Sequence, residues 1–327
     1  MLNYILRRVL LMIPTLAVIS VLVFTIIQLP PGDIITSRLL LLQQQGVDVS
    51  QEAIEAMRAR YNLDDPLYLQ YLRWIGGFLQ GDLGYSVQFG QSVNHLIWER
   101  LGYTLLLTTT ATLFAWLVAF PVGVFSALRQ YSLLDYVATV LAFLGLATPS
   151  FLLALVLMYL GYAWFGIPIG GLFSPEFAAA PWNGSKLIDL LKHLWIPAVV
   201  LGTAGMAGLM RVMRANLLDE LGKPYVQTAL AKGLHPTRLV IKYPMRIAIN
   251  PFISTVGWLL PHLISGAAIT SIVLSLPTTG PLLLESLRNQ DMYLAGSFLL
   301  MLSTLTVVGT LLSDILLAVV DPRIRYE

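Results

Sequence analysis

Side chains able to do covalent or metal chemistry are few in this chain of 327 residues, and their spacing does not favour such chemistry. There is no cysteine, which removes thiolate nucleophiles, thiolate metal sites and disulfides together. The four histidines (His95, His193, His235 and His262) show no ligand spacing, so no metal site is expected. The only Gly-Lys pair, Gly222-Lys223, is followed by Pro224 and lacks the upstream glycine of a phosphate-binding loop. ATP hydrolysis through such a loop is therefore excluded. Ser265-Gly266 has the look of an intramembrane serine nucleophile. Leu263 stands where that motif needs glycine, however, and His262 on the same helix is poorly placed as the base.

Two features remain that point to work other than catalysis. Asp314 lies inside an apolar stretch, and an intramembrane carboxylate is either functional or tied to a helix end or a loop arginine. The second is the segment 214–246, rich in cations and punctuated by Pro224, Gly233 and Pro236. Pro224 suits the first turn of a short helix ending near Lys232, and Gly233 suits the left-handed residue that closes it. Pro236 then opens a second short helix through about Lys242. A helix–turn–helix of this kind suits docking into a groove of a soluble partner. Its composition equally allows a basic, lipid-binding loop.

The elements that hold these residues are membrane spans. Residues are 57% hydrophobic and 12% charged, against about 45–50% and about 25% in soluble domains. Six stretches reach the roughly 20 apolar residues that cross a bilayer: 9–29, 103–127, 136–164, 193–213, 247–276 and 294–320. Pro149 falls in the third, and Pro251 and Pro261 in the fifth, where each can bend its helix. With the N-terminus inside, the cytoplasmic segments hold 12 of the 20 Lys and Arg, an excess of seven positive charges over their acids. Both termini are therefore expected in the cytoplasm. Residues 30–102 form an external insert, either a cap over the bundle or a docking surface. A helix is expected from Gln51 to about Tyr61, with Ser50 as its cap. Residues 185–194, flanked by Trp182 and Trp195, read as a separate interfacial helix. Gly202, Gly205 and Gly208 read as a helix-packing face. A net charge of +2 gives no support for nucleic-acid binding.

The motifs spread along the whole chain resemble one family. They are Tyr4-Ile5-Leu6-Arg7-Arg8, Ile13-Pro14-Thr15, Pro31-Gly32-Asp33, Gln70 to Gly77, and Gly81-Asp82-Leu83-Gly84-Tyr85-Ser86. Further along come Ala147-Thr148-Pro149-Ser150-Phe151, Arg211-Val212-Met213-Arg214-Ala215, Asp314, and Asp321-Pro322-Arg323-Ile324-Arg325. Together they resemble the B-type permease subunits of binding-protein-dependent dipeptide and oligopeptide ABC importers. The resemblance implies an all-α, type I importer permease fold: a first span in residues 1–29, the external segment 30–102, and a five-helix core over 103–327. It also implies a prokaryotic cell-membrane location and a non-catalytic transport role for peptides or a related solute. The expected partners are a homologous second permease, two cytoplasmic ATPases that bind ATP and Mg, an external substrate-binding protein and the lipid bilayer.

In that resemblance the loop 214–246 is the coupling element, and Tyr225, Gln227, Thr228, Ala229, Lys232 and Gly233 are its contact positions. Gln227 stands where importer permeases often have Glu, and Leu230 where peptide-type members often have Arg. Ser150, His262, Ser265 and Thr270 are candidate pore-lining groups by position, with hydrogen bonding between helices as the other role for each. The competing expectation is a secondary carrier or channel that works without ATPases. A lone intramembrane acid argues against it.

Overall fold

A computed structural model of the protein describes residues 2–30, 35, 50–60, 63–166, 170–250, 252 and 268–320. The chain begins with α1 (Leu2–Gln28), then α2 (Gln51–Arg60), α3 (Leu67–Leu79) and a hairpin of β1 (Tyr85–Ser86) with β2 (Gln91–Ser92). Then come α4 (Val93–Leu128), α5 (Leu133–Ala147), α6 (Ser150–Phe165), the short α7 (Pro175–Ala178) and α8 (Gly184–Leu221). The last part holds α9 (Pro224–Ala231), α10 (Pro236–Lys242), α11 (Pro244–Ala248), α12 (Ala268–Val273), α13 (Thr279–Arg288) and α14 (Met292–Val320). The strands pair antiparallel, Tyr85 opposite Ser92 and Ser86 opposite Gln91.

Among the described residues four helices are long and apolar enough to cross a membrane, within α1, α4, α8 and α14. The pair α5 and α6 makes a fifth if it is counted as one broken span. The fifth expected span, 247–276, falls largely outside the described residues.

Two expectations change. The stretch 136–164 is not one bent helix: α5 and α6 meet at 103°. Thr148, preceding Pro149, is held extended (φ −87, ψ 119), as a residue before proline must be, and Pro149 then caps α6. The Pro149 carbonyl accepts from Leu152 and Leu153, so the break leaves few backbone groups unpaired. Residues 185–194 are not a separate interfacial helix but the first turns of the 38-residue α8. Asn183 starts it by accepting from the Lys186 amide at 2.8 Å, and Pro197 is accommodated inside. Leu190 and Leu194 are buried, whereas Leu187 and Leu191 stay exposed. Lys186 is buried too, its ammonium over the rings of Phe173 and Trp182 and donating to the Ala180 carbonyl at 2.5 Å.

Two compact units are distinguished. One comprises residues 2–104 and 278–307. There α3 lays Trp74, with Tyr71 and Phe78, on Phe24 of α1 and Leu300 of α14, and the Trp74 indole donates to Ser297 at 3.0 Å. Gly84 has φ +90, and a Cβ there would meet the Tyr293 ring at 2.5 Å, which explains the glycine. Asp291 is buried at the start of α14. Its carboxylate accepts from Ser86 Oγ at 2.5 Å, the Gln88 amide at 3.2 Å and the Leu294 amide at 3.3 Å. It therefore caps α14 and holds the hairpin at once. The other unit comprises residues 105–277 and 308–327, and a buried cluster in it runs from Ala119 on α4 through Met210, Met213 and Leu217 of α8 to Phe252.

Burial holds the Asp291 carboxyl above its ordinary pKa, against the hydrogen bonds that favour the anion. The folded chain then holds this proton more tightly than the unfolded chain. Its stabilising contribution is full below the unfolded carboxylate pKa and is lost as pH rises through the higher folded value. Asp291→Asn keeps an oxygen for the cap and should flatten this pH dependence. Asp291→Ala removes the cap and should cost about 0.5–2 kcal/mol. Thermal melts of the detergent-solubilised variants across pH 4 to 8 test both; equal slopes for wild type and Asp291→Asn would contradict the assignment.

Candidate functional site

The segment after α8 folds from its punctuation. Lys223 is extended (φ −71, ψ 147) and Pro224 takes the first position of α9, where its missing N–H costs nothing. At the other end Gly233 has φ +78. Its amide donates to the Leu230 carbonyl at 2.9 Å, and the Leu234 amide to the Ala229 carbonyl at 3.3 Å. That reciprocal pair is a Schellman closure, and it requires a left-handed residue between the two donors. Nothing lies within 4 Å of where a Gly233 Cβ would sit, so the demand for glycine comes from the backbone and not from space. His235, before Pro236, is extended (φ −60, ψ 134) and turns the chain into α10.

One face of this helix pair is packed. Val226 and Ala229 of α9, Leu239 and Val240 of α10 and Ala248 of α11 are buried in the same cluster as Met210, Met213 and Leu217 of α8. The other face is open. Gln227, Thr228, Lys232 and Gly233 are exposed, and so are the aliphatic Leu230 (57%) and Ile241 (62%). Lys223, Lys232, Arg238 and Lys242 are exposed with them, and residues 221–250 contain no Asp or Glu. The open face is thus basic with apolar tips.

Not all six expected contact positions lie on that face. Ala229 points inward and contributes packing and the carbonyl of the helix closure. The Thr228 hydroxyl is committed to the Pro224 carbonyl at 2.9 Å. Tyr225 reaches back across the α8–α9 junction, its hydroxyl donating to Glu220 Oε2 at 2.5 Å, with its ring 6.5 Å from that of Tyr243. Burial and the Glu220 carboxylate push the Tyr225 phenol above its ordinary pKa, so this clasp keeps its proton at any physiological pH. Gln227, Lys232 and Gly233 are left free to meet a partner.

The sequence reading missed what anchors this platform. Arg214 near the end of α8 donates from Nε (3.1 Å) and Nη2 (3.0 Å) to the two oxygens of Asp135, a buried carboxylate in the first turn of α5. The Tyr131 amide adds a third bond at 3.0 Å, and the Asp135 amide donates to Ser132, the α5 cap. A bidentate pair of this kind fixes orientation as well as distance. The only local trace in the sequence is Ser132-x-x-Asp135, a helix-start signature.

Of the candidate pore groups, Ser150 and Thr270 meet each other, hydroxyl to hydroxyl at 2.8 Å, joining the start of α6 to α12. His262 and Ser265 lie outside the described residues. Asp314 sits half-buried within α14. No group of three His, Asp or Glu side chains able to hold a metal ion occurs among the described residues.

Comparison with known proteins covers the whole chain. The family model described as binding-protein-dependent transport system inner membrane component matches residues 119–326, and its N-terminal companion matches residues 1–108. The chain is 39% identical over 329 residues to the oligopeptide transport system permease protein AppB of Bacillus subtilis, covering 99% of each. It is 33% identical over 343 residues to the dipeptide transport system permease protein DppB of Escherichia coli, covering 100% of each. To the oligopeptide transport system permease protein OppB of Haemophilus influenzae it is 32% identical over 328 residues, again covering 100% of each.

The geometry predicts unequal consequences at two glycines. Gly233→Val forces a β-branched residue to positive φ and should cost about 1–2 kcal/mol locally, loosening the α9 closure while the spans stay inserted. Gly222, with φ −76, carries no such demand. Hydrogen exchange at the Gly233 and Leu234 amides should accelerate in Gly233→Val and not in Gly222→Val; equal exchange in both would contradict the closure.

Proposed function

The chain belongs to the family of binding-protein-dependent transport system inner membrane components, and on that premise we propose that it imports peptides with ATP-hydrolysing partners. It is a multi-pass membrane permease, similar end to end to peptide permeases. In the proposed assembly it forms the translocation path with a second, homologous permease subunit. Two cytoplasmic ATPases carry ATP and Mg, and an external binding protein delivers the solute. The chain itself makes and breaks no covalent bond. Its work is a difference in stability between two conformations, set by what its partners bind.

The observation that carries this reading is the helix pair α9–α10, packed on α8 by one face and open on the other. Closure of the ATPases pushes the open face, with Gln227, Lys232 and the Gly233 turn as contact positions. The packed face transmits the displacement to α8 as a rigid body. Arg214 passes it to Asp135 and so to α5, at the end of the helix broken at Pro149. The 103° break supplies the corner about which such motion can occur. Asp314 is proposed to hold α14 in register as a structural carboxylate. Ser150 and Thr270 are proposed to tie α6 to α12 beside the path. Both termini and the α9–α10 face are proposed to lie on the cytoplasmic side, a reading supported by the excess of Lys and Arg in those segments.

A carrier or channel working alone would need no such platform, and no observation favours it. Reconstitution of the chain with its co-expressed partners tests the proposal. Tri-alanine uptake into proteoliposomes should require ATP and all partners. Proton-driven uptake by this chain alone would contradict it.

A further inference from the structure

Two polar atoms on α4 stand out. The hydroxyl of Thr112 and the indole nitrogen of Trp116 are closed to solvent and have no hydrogen-bond partner among the described residues. They are four residues apart and so lie one above the other on the helix, with Phe120 a further turn along the same stripe. This stripe lies at the margin of the helix's buried arc. Ala111, Ala115 and Ala119 to one side are buried, while Leu113 and Leu117 to the other are exposed. The indole packs against an apolar cluster. The Phe252 ring is 6.0 Å from Trp116 and 5.9 Å from Phe120, edge-on to both, and Ala248 and Met210 belong to the same cluster.

A buried donor left unpaired is costly, and native proteins rarely keep one without a use. Phenylalanine would fill the Trp116 position with no orphan N–H, and valine would fill the Thr112 position with no orphan hydroxyl. A protein that alternates between two conformations offers a reason for both: the partner arrives in the other state. We propose that Thr112 and Trp116 form a solute contact on the translocation path. There the indole N–H donates to a backbone carbonyl of the transported peptide, and the threonine hydroxyl bonds its neighbouring amide. This inference rests on the peptide-import reading above and adds to it the residues that meet the solute. Trp116, Phe120 and Phe252 present an aromatic wall beside those two polar atoms. Such a wall accepts many side chains, while the polar pair reads only the main chain common to all peptides. One or two hydrogen bonds also suit a path that must release what it holds.

The absence of cysteine in the chain makes the test direct. In the reconstituted full complex, Thr112→Cys is exposed to a small, charged methanethiosulfonate reagent, nucleotide-free and ATP-trapped, with and without tri-alanine and the binding protein. Reaction in one of the two states, slowed by tri-alanine, is expected. Trp116→Phe, which keeps the ring and loses the N–H, should lower uptake at sub-saturating tri-alanine by about three- to tenfold. Its assembly and melting temperature should equal or exceed those of wild type. Thr112→Val should behave in the same sense. No reaction at Thr112→Cys in either state, reaction that tri-alanine does not slow, or wild-type uptake by Trp116→Phe would each overturn the proposal. Failure of the wild-type complex to take up tri-alanine is a different result, and it contradicts the peptide-import reading itself.

Discussion

Every helix end leaves backbone groups unpaired, and inside hydrocarbon no water can satisfy them, so a chain that interrupts its helices has to close its own hydrogen bonds. This chain interrupts its helices often, and the closures are of few kinds. After α3, α9, α12 and α13 the same reciprocal pair of amides folds back onto the last turn, around left-handed Gly81, Gly233, Ser275 and Gln290. Two of these four are not glycine, and for them the surrounding structure has to hold a conformation that side chains rarely adopt. Starts are closed by proline at the first position of α9, α10 and α11, or by the side chains of Ser132, Asn183 and Asp291. Short rigid pieces joined at fixed corners follow from that economy, and a device that transmits motion needs such pieces.

Polar side chains then join the pieces where hydrophobic packing alone would leave them free to slide. Arg214 with Asp135, Ser150 with Thr270, and Tyr225 with Glu220 each tie the end of one helix to another. Each tie sits next to a break. These ties place adhesion at the joints, with Trp74 and Ser297 adding one between helix shafts, and such an arrangement suits the proposed conformational change. Asp291 does the equivalent work for the hairpin and α14.

What the sequence made legible is what its local chemistry determines. Pro224, Gly233 and Pro236 mark two short helices to within a residue, because proline and a left-handed glycine act on their own neighbours. The long apolar runs give α1, α4 and α14, since a span is a matter of length and composition. Asp135 and Arg214 are 79 residues apart in sequence, and no local pattern announces their pairing. Pro149 announced a bend but not its size, which depends on what α5 and α6 pack against. The helix continuous from Gly184 to Leu221 was hidden by two flanking tryptophans, Trp182 and Trp195, that suggested a membrane surface before the span. Ala229 belonged to the expected contact set through its place in a motif, whereas burial assigns it to the core.

The central claim is that the open face of α9 and α10 is where an ATPase meets this permease. Cross-linking measures this directly. Lys232→Cys is the only thiol of its chain in the assembled complex, and a short thiol-to-amine reagent should join it to the ATPase subunit. The yield should change between the nucleotide-free and ATP-trapped states. Leu72→Cys, on the exposed face of α3, serves as the control and should give no such product. A complex that takes up peptide with ATP but whose Lys232→Cys reacts only with lipid or solvent, in both states, would contradict the account.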